Sequence, residues 1–233
     1  IVIPKNKITV ILGPNGCGKS TMLKTMARVL PLKDGKIILD GKDLKTMKTA
    51  EIAQKIGFLS QILNTPEGIS VYELVSYGRY PYKRISSTKE DQKIIEWALK
   101  ETQTFEIKDM LVHDLSGGQK QRVWIAMVLA QQTNTILLDE PTTYLDINHQ
   151  LEIMELLKRL NDEQGLTVLM VLHELTQAVQ YSHYMAIIKD GHLVTAGDTK
   201  EIVSDELFRD VFSVDVQIDT FDDKQYVRVK GLV

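Results

Sequence analysis

A glycine-rich stretch near the start of the chain restricts its fold more than any other feature. The stretch fits the pattern G-x-x-x-x-G-K-[ST], follows an apolar run over residues 7–13, and precedes a helical pattern that starts at Lys19. Glycines let successive backbone N–H groups turn inward around an anion, and the positive end of the helix dipole faces the same point. The sequence therefore predicts a phosphate-binding loop between a strand and a helix of an α/β fold. The predicted site residues are Gly13, Pro14, Asn15, Gly16, Cys17, Gly18, Lys19, Ser20 and Thr21.

Two side chains of this loop have specific predicted roles. Lys19 can reach the β- and γ-phosphates of ATP or GTP, and the Ser20 hydroxyl can ligate Mg²⁺. The alternative is a glycine-rich turn without a ligand, but eight matching positions in a strand–loop–helix context argue against it. Cys17 occupies a free position of the pattern, where a small side chain is tolerated; a redox role for its thiol is the weaker interpretation.

Strands alternate with helices along much of the remaining chain. This alternation predicts a parallel sheet with helices on its faces. The turn residues Asp40 and Gly41 are typical of a hairpin, and alternating residues on both sides of Asp222 and Asp223 predict a small C-terminal hairpin. The predicted strands are 7–13, 36–39, 56–60, 135–138, 167–172, 214–218 and 225–229; the predicted helices begin near residues 19, 70 and 88 and span 117–132 and 150–164.

Charge and composition exclude several classes of protein. Lys and Arg supply 28 charges against 31 from Asp and Glu, a net of −3, whereas domains that wrap nucleic acid carry a basic excess. One cysteine cannot form an intrachain disulfide, which fits a reducing compartment. No apolar run approaches the roughly 20 residues of a membrane span, and residues 1–5 lack the pattern of a signal peptide. We therefore expect a soluble cytosolic chain without a nucleic-acid partner.

An acidic pair follows the apolar run at residues 135–138. Asp139, at the carboxyl end of this predicted strand, can hold Mg²⁺ beside the phosphate loop. Glu140 is placed to orient or deprotonate an attacking water, which favours hydrolysis over transfer to a bound acceptor. Taken alone, the pair is equally compatible with an acidic turn before Pro141.

A third motif follows the second predicted helical region. Leu115 precedes a serine and two glycines that open a helix, so free backbone N–H groups and a hydroxyl face outward toward an anion. With these three motifs in order, the chain resembles the ABC-type ATPases, the nucleotide-binding subunits of ATP-binding-cassette transporters. The resemblance extends over residues 3–212. In that family the third motif contacts the γ-phosphate held by a second copy in a head-to-tail dimer; its residues here are Ser116, Gly117, Gly118 and Gln119.

The resemblance assigns roles to three further residues. Gln61 resembles the glutamine that contacts Mg²⁺ and senses the membrane subunit, and Asp146 resembles the aspartate that communicates across the dimer. His173 resembles the switch histidine that contacts the γ-phosphate, although a lone histidine at a strand end is more often structural. The implied ligands are ATP and Mg²⁺, and the implied catalytic residues of this ATPase are Glu140, His173 and Lys19.

The resemblance also implies the architecture of a P-loop NTPase. We expect a single domain over residues 1–233, with a RecA-like core of parallel sheet (1–61 and 115–212), an inserted α-helical subdomain (62–114) and small antiparallel β elements, including the hairpin at 213–233. The family stacks adenine on an aromatic residue of a strand upstream of the phosphate loop, and residues 1–12 contain no aromatic residue. An N-terminal strand pair is therefore expected to be missing, and this chain to bind ATP more weakly than the intact protein.

Three stretches point to one branch of the family. Residues 71–82, 115–127 and 142–150 are similar to importers of iron(III)–siderophore and vitamin B12 type, and most similar to the ferric-siderophore ATPases. This implies a peripheral protein on the cytoplasmic side of the bacterial membrane, working with permease subunits and indirectly with a substrate-binding protein. Vitamin B12, haem or another cargo, an exporter, and a non-transport ABC ATPase of DNA repair or translation remain alternatives.

The segment 78–83 has two interpretations. It contains Arg79, Tyr80, Pro81 and Tyr82, and tyrosine and arginine are favoured at the buried centres of interfaces. The segment could border the groove that receives a coupling helix of the membrane subunit. Equally, its rings could close the core of the helical subdomain.

Overall fold

The computed structural model describes residues 1–83, 85–221 and 224–233. Its α-helices are α1 (Lys19–Met26), α2 (Thr49–Ala53), α3 (Val71–Ser76), α4 (Thr88–Glu101), α5 (Gly117–Ala130), α6 (Ile147–Gln164), α7 (Leu175–Tyr181), α8 (Thr199–Ile202) and α9 (Asp205–Phe212). Its strands are β1 (Ile8–Leu12), β2 (Ile38–Leu39), β3 (Lys42–Asp43), β4 (Ile56–Leu59), β5 (Thr135–Asp139), β6 (Thr167–Val171), β7 (Tyr184–Lys189), β8 (His192–Asp198), β9 (Val214–Phe221) and β10 (Lys224–Leu232). Short 3₁₀ segments cover Leu44–Thr46, Tyr77–Tyr82, Phe105–Ile107 and Val112–Asp114.

The central sheet of the described residues has the order β4-β5-β6-β1-β7-β8. Its strands are parallel except β8, which is antiparallel to β7 at the edge. Strands β1 and β6 are buried along their whole length and consist almost entirely of apolar residues, as strands covered by helices on both faces must be. The predicted α/β class with a parallel sheet is confirmed.

Successive apolar residues of the central strands β1, β5 and β6 belong to different cores on the two faces of the sheet. Val10 and Met170 pack in the larger core with α5 and α6, whereas Ile11, Leu137 and Leu169 pack in a smaller core with Leu23 of α1. This follows from the period of two along a strand. The sheet is therefore fixed on both sides, and the loops at its carboxyl edge start from rigid positions.

Several element boundaries differ from the sequence prediction. Helix α1 ends at Met26 because Arg28 has a φ of 58°, so the predicted apolar face stops short of Leu30. Helix α6 begins three residues earlier than predicted, since the Asp146 carboxylate accepts a hydrogen bond from the His149 N–H at 3.0 Å and caps the helix there. The stretch from β7 to α9, including the antiparallel edge strand β8, was not predicted.

The C-terminal hairpin forms as predicted but is longer. Strands β9 and β10 pair from Val214–Leu232 to Phe221–Lys224, with an irregularity between Val229 and Gly231. The predicted turn residues Asp222 and Asp223 lie outside the described part of the chain. Val216 and Val227 are buried, so the hairpin packs on the body of the protein rather than extending from it.

Arg79 lies inside the structure rather than on a docking surface. It is 6% exposed, donates from Nε to Asp91 at 2.8 Å and from Nη1 to the Ala130 carbonyl at 2.9 Å, and stacks on the Tyr82 ring at 4.1 Å. Tyr80, by contrast, is 75% exposed. Within the segment 78–83, Arg79 and Tyr82 therefore pack internally, whereas Tyr80 faces outward.

Candidate active site

The glycine-rich loop connects β1 to α1 as its sequence predicts. Gly18 caps α1 with a φ of 100°, a left-handed conformation that side chains other than glycine rarely adopt. The Lys19 side chain is buried and folds back over the loop, where its Nζ donates to the carbonyls of Gly13 at 2.8 Å and Pro14 at 3.0 Å. The lysine charge is thus held at the centre of the loop, where it can attract an anion.

Ser20 and Asp139 lie together beside this loop. The Ser20 hydroxyl donates to Asp139 Oδ1 at 2.7 Å, and the Asp139 side chain is fully buried. Asp139 Oδ2 accepts no hydrogen bond from the described residues, but the Lys24 ammonium lies 3.4 Å away. Sequence reasoning missed Lys24, although it lies one helical turn after Ser20 and so on the same face of α1.

A hydroxyl and a carboxylate are suitable ligands for Mg²⁺. Mg²⁺ prefers oxygen ligands and is usually bound through one or two carboxylates together with substrate phosphates. Within the described ranges, no cluster of three or more His, Cys, Asp or Glu side chains could hold a metal ion. The residues therefore fit a Mg²⁺ ion that is shared with a phosphate ligand, rather than one held by protein alone.

Glu140 is the meeting point of three other side chains. Its carboxylate accepts hydrogen bonds from Gln61 Nε2 at 2.6 Å and from Thr143 Oγ1 at 3.0 Å, and it contacts His173 Nε2. Glu140 itself has a φ of 55° and a side chain only 10% exposed. Gln61 therefore contacts Glu140 rather than Ser20 or Asp139 in this structure, and Thr143 is a member of the group that sequence reasoning missed.

The sheet order explains why these residues meet. Gln61 follows β4, Glu140 follows β5, and His173 follows β6, which are three neighbouring strands, with β1 and its loop next in the sheet. Parallel strands present their carboxyl ends at one edge, where open α/β sheets bind ligands. The predicted site residues from different parts of the chain are thereby gathered at that edge.

The remaining predicted residues lie at the starts of two helices. The Ser116 hydroxyl accepts a hydrogen bond from the Gln119 N–H at 3.3 Å, while the Gln119 side chain accepts one from the Ser116 N–H at 3.0 Å, which forms a capping box at α5. Ser116 and Gly117 are exposed, Gly118 is buried, and the exposed Asp146 caps α6. Ser116, Gly117 and Asp146 of this second group are therefore accessible from outside the chain.

The parallel sheet, the phosphate loop at its carboxyl edge and the Asp139–Glu140 pair define a P-loop protein that binds a nucleotide. The chain belongs to the ABC transporter family, because the family's sequence model matches residues 1–143. ABC ATP-binding proteins bind and hydrolyse ATP, and those of importers dimerise and work with membrane permease subunits.

Curated relatives place the chain among import proteins. It is 50% identical over 224 residues to the iron(3+)-hydroxamate import ATP-binding protein FhuC of Bacillus subtilis, covering 94% of this chain and 82% of that protein. It is 44% identical over 216 residues to the ferric enterobactin transport ATP-binding protein FepC of Escherichia coli, covering 92% and 80%. The predicted resemblance to siderophore-iron import ATPases is confirmed.

Solved structures share the fold. A metal-chelate type ABC transporter in an inward-facing conformation matches with a TM-score of 0.85 at 27% identity, covering 99% of this chain and 89% of that chain. The dimeric cassette MJ0796, bound to ADP and Pi after hydrolysis, matches with a TM-score of 0.76 at 31% identity, covering 85% and 88%. Among the described residues, no helix is both long and apolar enough to cross a membrane.

Proposed function

We propose that this chain is the ATP-hydrolysing subunit of an importer that carries an iron(III)–siderophore complex across the bacterial cytoplasmic membrane. One observation carries the ATPase assignment: the Glu140 carboxylate is held by Gln61, Thr143 and His173 at the same sheet edge as the phosphate loop. The cargo class is supported by the relatives, which are named for import of ferric hydroxamate and enterobactin.

ATP would bind with its phosphates in the loop of residues 13–21. The Lys19 ammonium would exchange the Gly13 and Pro14 carbonyls for β- and γ-phosphate oxygens, which are stronger, charged partners. Ser20 and Asp139 would hold Mg²⁺, joined by the amide oxygen of Gln61, whose Nε2 donates to Glu140, and this ion, when bound, neutralises charge on the β- and γ-phosphates. The Lys24 ammonium offsets part of the negative charge of Asp139.

Hydrolysis would proceed by in-line attack of water on the γ-phosphate. Glu140 orients the water and accepts a proton from it as the new O–P bond forms and the bond to the ADP oxygen breaks, which yields ADP and inorganic phosphate. His173 contacts the Glu140 carboxylate and is 39% exposed, so it can turn toward the γ-phosphate from the same edge. Gln61 and Thr143 fix the carboxylate in position.

A second copy would complete the site in a head-to-tail dimer. Exposed residues at the starts of α5 and α6 support this arrangement, in which Ser116, Gly117, Gly118 and Gln119 of one copy face the γ-phosphate of the other. The dimeric cassette with ADP and Pi is consistent with it. Asp146 lies beside this surface and would transmit closure across the dimer.

Closure of the dimer would drive permease subunits at the cytoplasmic side of the membrane. We assign residues 1–61 and 115–212 to the catalytic core, 62–114 to the helical subdomain and 213–233 to a C-terminal hairpin. Exposed Tyr77 and Tyr80, which follow Gln61 in the chain, would border the groove for a permease helix. A substrate-binding protein would take part only indirectly, and nucleic acid is not a partner.

The test is Glu140→Gln in the purified protein and in cells that carry the complete transport system. We expect ATP hydrolysis to fall at least about 100-fold, since a general base contributes that much, while ATP binding changes less than about twofold. Uptake of labelled iron(III)–siderophore should be abolished. Glu201→Gln, an exposed glutamate on α8, is the matched control and should leave both activities unchanged.

Two results would contradict the proposal separately. Normal ATP hydrolysis by Glu140→Gln would show that the catalytic assignment is wrong. If hydrolysis is lost and uptake of siderophore iron is unchanged, the ATPase assignment stands and the assignment of siderophore iron as the cargo is wrong. Uptake of vitamin B12 and haem would then be measured.

A further inference from the structure

Gly118 and His149 are in direct contact, although they belong to different helices. Gly118 is buried in the first turn of α5, and a Cβ atom placed there would lie 2.4, 2.6 and 2.8 Å from Cδ2, Cγ and Nε2 of the His149 ring. Real Cβ atoms essentially never approach other atoms so closely. Glycine is therefore required at this position by the imidazole ring that packs on its backbone.

The His149 ring is held in this position from its own helix. Its backbone N–H donates to Asp146 Oδ1 at 3.0 Å, and its ring Nδ1 lies 3.0 Å from Glu152 Oε2. Asn148 Nδ2 also donates to Glu152, at 3.0 Å. The hydrogen bond from His149 is the main cause that holds the pKa of the Glu152 carboxyl below its usual range.

The same carboxylate connects back to α5. Glu152 Oε2 contacts Nη1 of Arg122, which is 16% exposed and lies four residues after Gly118. Residues four apart lie on one face of a helix, so Gly118 and Arg122 face α6 together. Two contacts, one helical turn apart, thus fix the start of α5 against the start of α6.

We propose that His149 is a positioning residue. Together with Gly118, Arg122 and Glu152 it forms a clamp, the helix-start clamp, that holds residues 116–119 and Asp146 as one rigid unit. The starts of α5 and α6 then meet a second copy in a fixed relative orientation. This inference rests on the dimer of the proposed function. The clamp acts on assembly of the dimer and not on binding of ATP to the phosphate loop of the same chain.

The neighbouring Gln150 makes a separate connection. Its Nε2 donates to the Leu145 carbonyl at 3.0 Å, and its Oε1 accepts from Nε2 of the buried Gln177 on α7 at 2.6 Å. Helix α7 follows His173, so Gln150 links the Asp146 segment to the catalytic edge and not to α5. Gln150→Ala therefore serves as a comparison that cuts this link and leaves the helix-start clamp intact.

The packing contact is tested by thermal unfolding of the whole chain. Gly118→Ala should lower the Tm by about 2–10 °C, because the added methyl overlaps the ring. In a His149→Ala background the same substitution should cost no more than about 1 °C. If Gly118→Ala lowers the Tm equally in the wild type and in His149→Ala, the clamp does not exist, since glycine would then be needed for a reason other than the His149 ring. In a Gln150→Ala background, Gly118→Ala should lower the Tm as much as it does in the wild type.

The positioning role is tested in a Glu140→Gln background, where ATP is retained. His149→Ala should leave the affinity of the single chain for ATP within about twofold. It should weaken ATP-dependent dimerisation at least about tenfold, because residues 116–119 and Asp146 would no longer be held in one relative orientation. His149→Gln, which retains an N–H donor for Glu152, should recover part of the dimerisation. His192→Ala, at an exposed histidine that starts β8, is the matched control and should have no effect.

Two outcomes separate this inference from simple structural damage. If His149→Ala lowers ATP affinity and dimerisation equally, and its Tm is also lowered, then His149 has only a structural role. Unchanged dimerisation would overturn the positioning role directly. If Glu140→Gln itself fails to dimerise with ATP, the dimer of the proposed function is wrong, whereas the unfolding cycle still decides whether the clamp exists.

Discussion

The Asp139 carboxylate is fully buried and depends on two side chains of α1. Ser20 donates to one oxygen at 2.7 Å, and the Lys24 ammonium lies 3.4 Å from the other. A buried charge without a partner is costly, because it has lost its hydration. The motif residue is thus stabilised by a lysine that does not belong to the motif.

Lys24→Met tests this dependence, since it keeps the length of the side chain and removes its charge. We expect a loss of about 1–3 kcal/mol in the free energy of unfolding without nucleotide, measured by urea titration. Lys24→Arg should retain most of the stability. In an Asp139→Asn background Lys24→Met should cost much less, and an equal cost in both backgrounds would contradict the pairing.

The residues with proposed chemical roles were accessible from the sequence to different degrees. Lys19, Ser20, Asp139 and Glu140 follow from local patterns, because each motif is contiguous and has its own strand or helix context. Lys24 could have been found from its helical spacing to Ser20. Thr143 had no signal of its own, since its contact with Glu140 depends on how the chain turns after β5.

Helix α5 ends against the 3₁₀ segment Tyr77–Tyr82. The last carbonyls of a helix lack partners within the helix, and Arg79 Nη1 donates to that of Ala130, the last residue of α5. Its Nε pairs with Asp91 on α4. Arg79 therefore joins two helices, which no sequence pattern indicated.

Arg79→Ala should lower the free energy of unfolding by about 2–4 kcal/mol, because it leaves a buried carbonyl and a carboxylate without their donor. Arg79→Lys should recover only part of this, since a single ammonium cannot reach both acceptors as the guanidinium does. Lys83→Ala, at an exposed cation near the Tyr80 ring, is the comparison and should change stability by less than about 0.5 kcal/mol. A loss no larger for Arg79→Ala than for Lys83→Ala would contradict this role.

The element boundaries show where local patterns were sufficient. The largely apolar strands β1, β5 and β6 were predicted within one or two residues, because burial on both faces leaves a nearly continuous apolar run. Strand β8 was missed because it is an edge strand with mixed polarity, half exposed at Leu193 and Val194. Its pairing with β7 depends on the tertiary fold, which the alternation of apolar and polar residues along the chain does not reveal.

His183 connects the start of β1 to the start of β7 and so bears on the stability of the whole sheet. Its Nδ1 accepts a hydrogen bond from the Ile8 N–H at 3.1 Å, which requires the neutral ring. Burial lowers the pKa of His183, and the charge of Lys7 lowers it further, against the opposing effects of Asp162 and Asp198. The folded chain therefore resists protonation that the unfolded chain accepts.

The sign of the pH dependence follows from this difference. The unfolded chain binds the proton near pH 6.5, so the stability contributed by the neutral ring is present above that pH and is lost as the pH falls through the lowered pKa of the folded state. Urea midpoints between pH 7.5 and 5 should fall more steeply for the wild type than for His183→Gln. Parallel curves for the two proteins would show that another group is responsible.

Local patterns were sufficient to predict the phosphate loop, the acidic pair, the serine–glycine motif at residues 116–119 and the α/β class, because each depends on contiguous residues whose spacing matches a strand, a loop or a helix. Which of these motifs lie together depends on the tertiary fold. The order β4-β5-β6-β1 brings Gln61, Glu140 and His173 to one edge, and the packing of α5 on α6 places His149 on Gly118. These contacts join residues far apart in the chain, so they follow from strand order and helix packing and not from local sequence pattern.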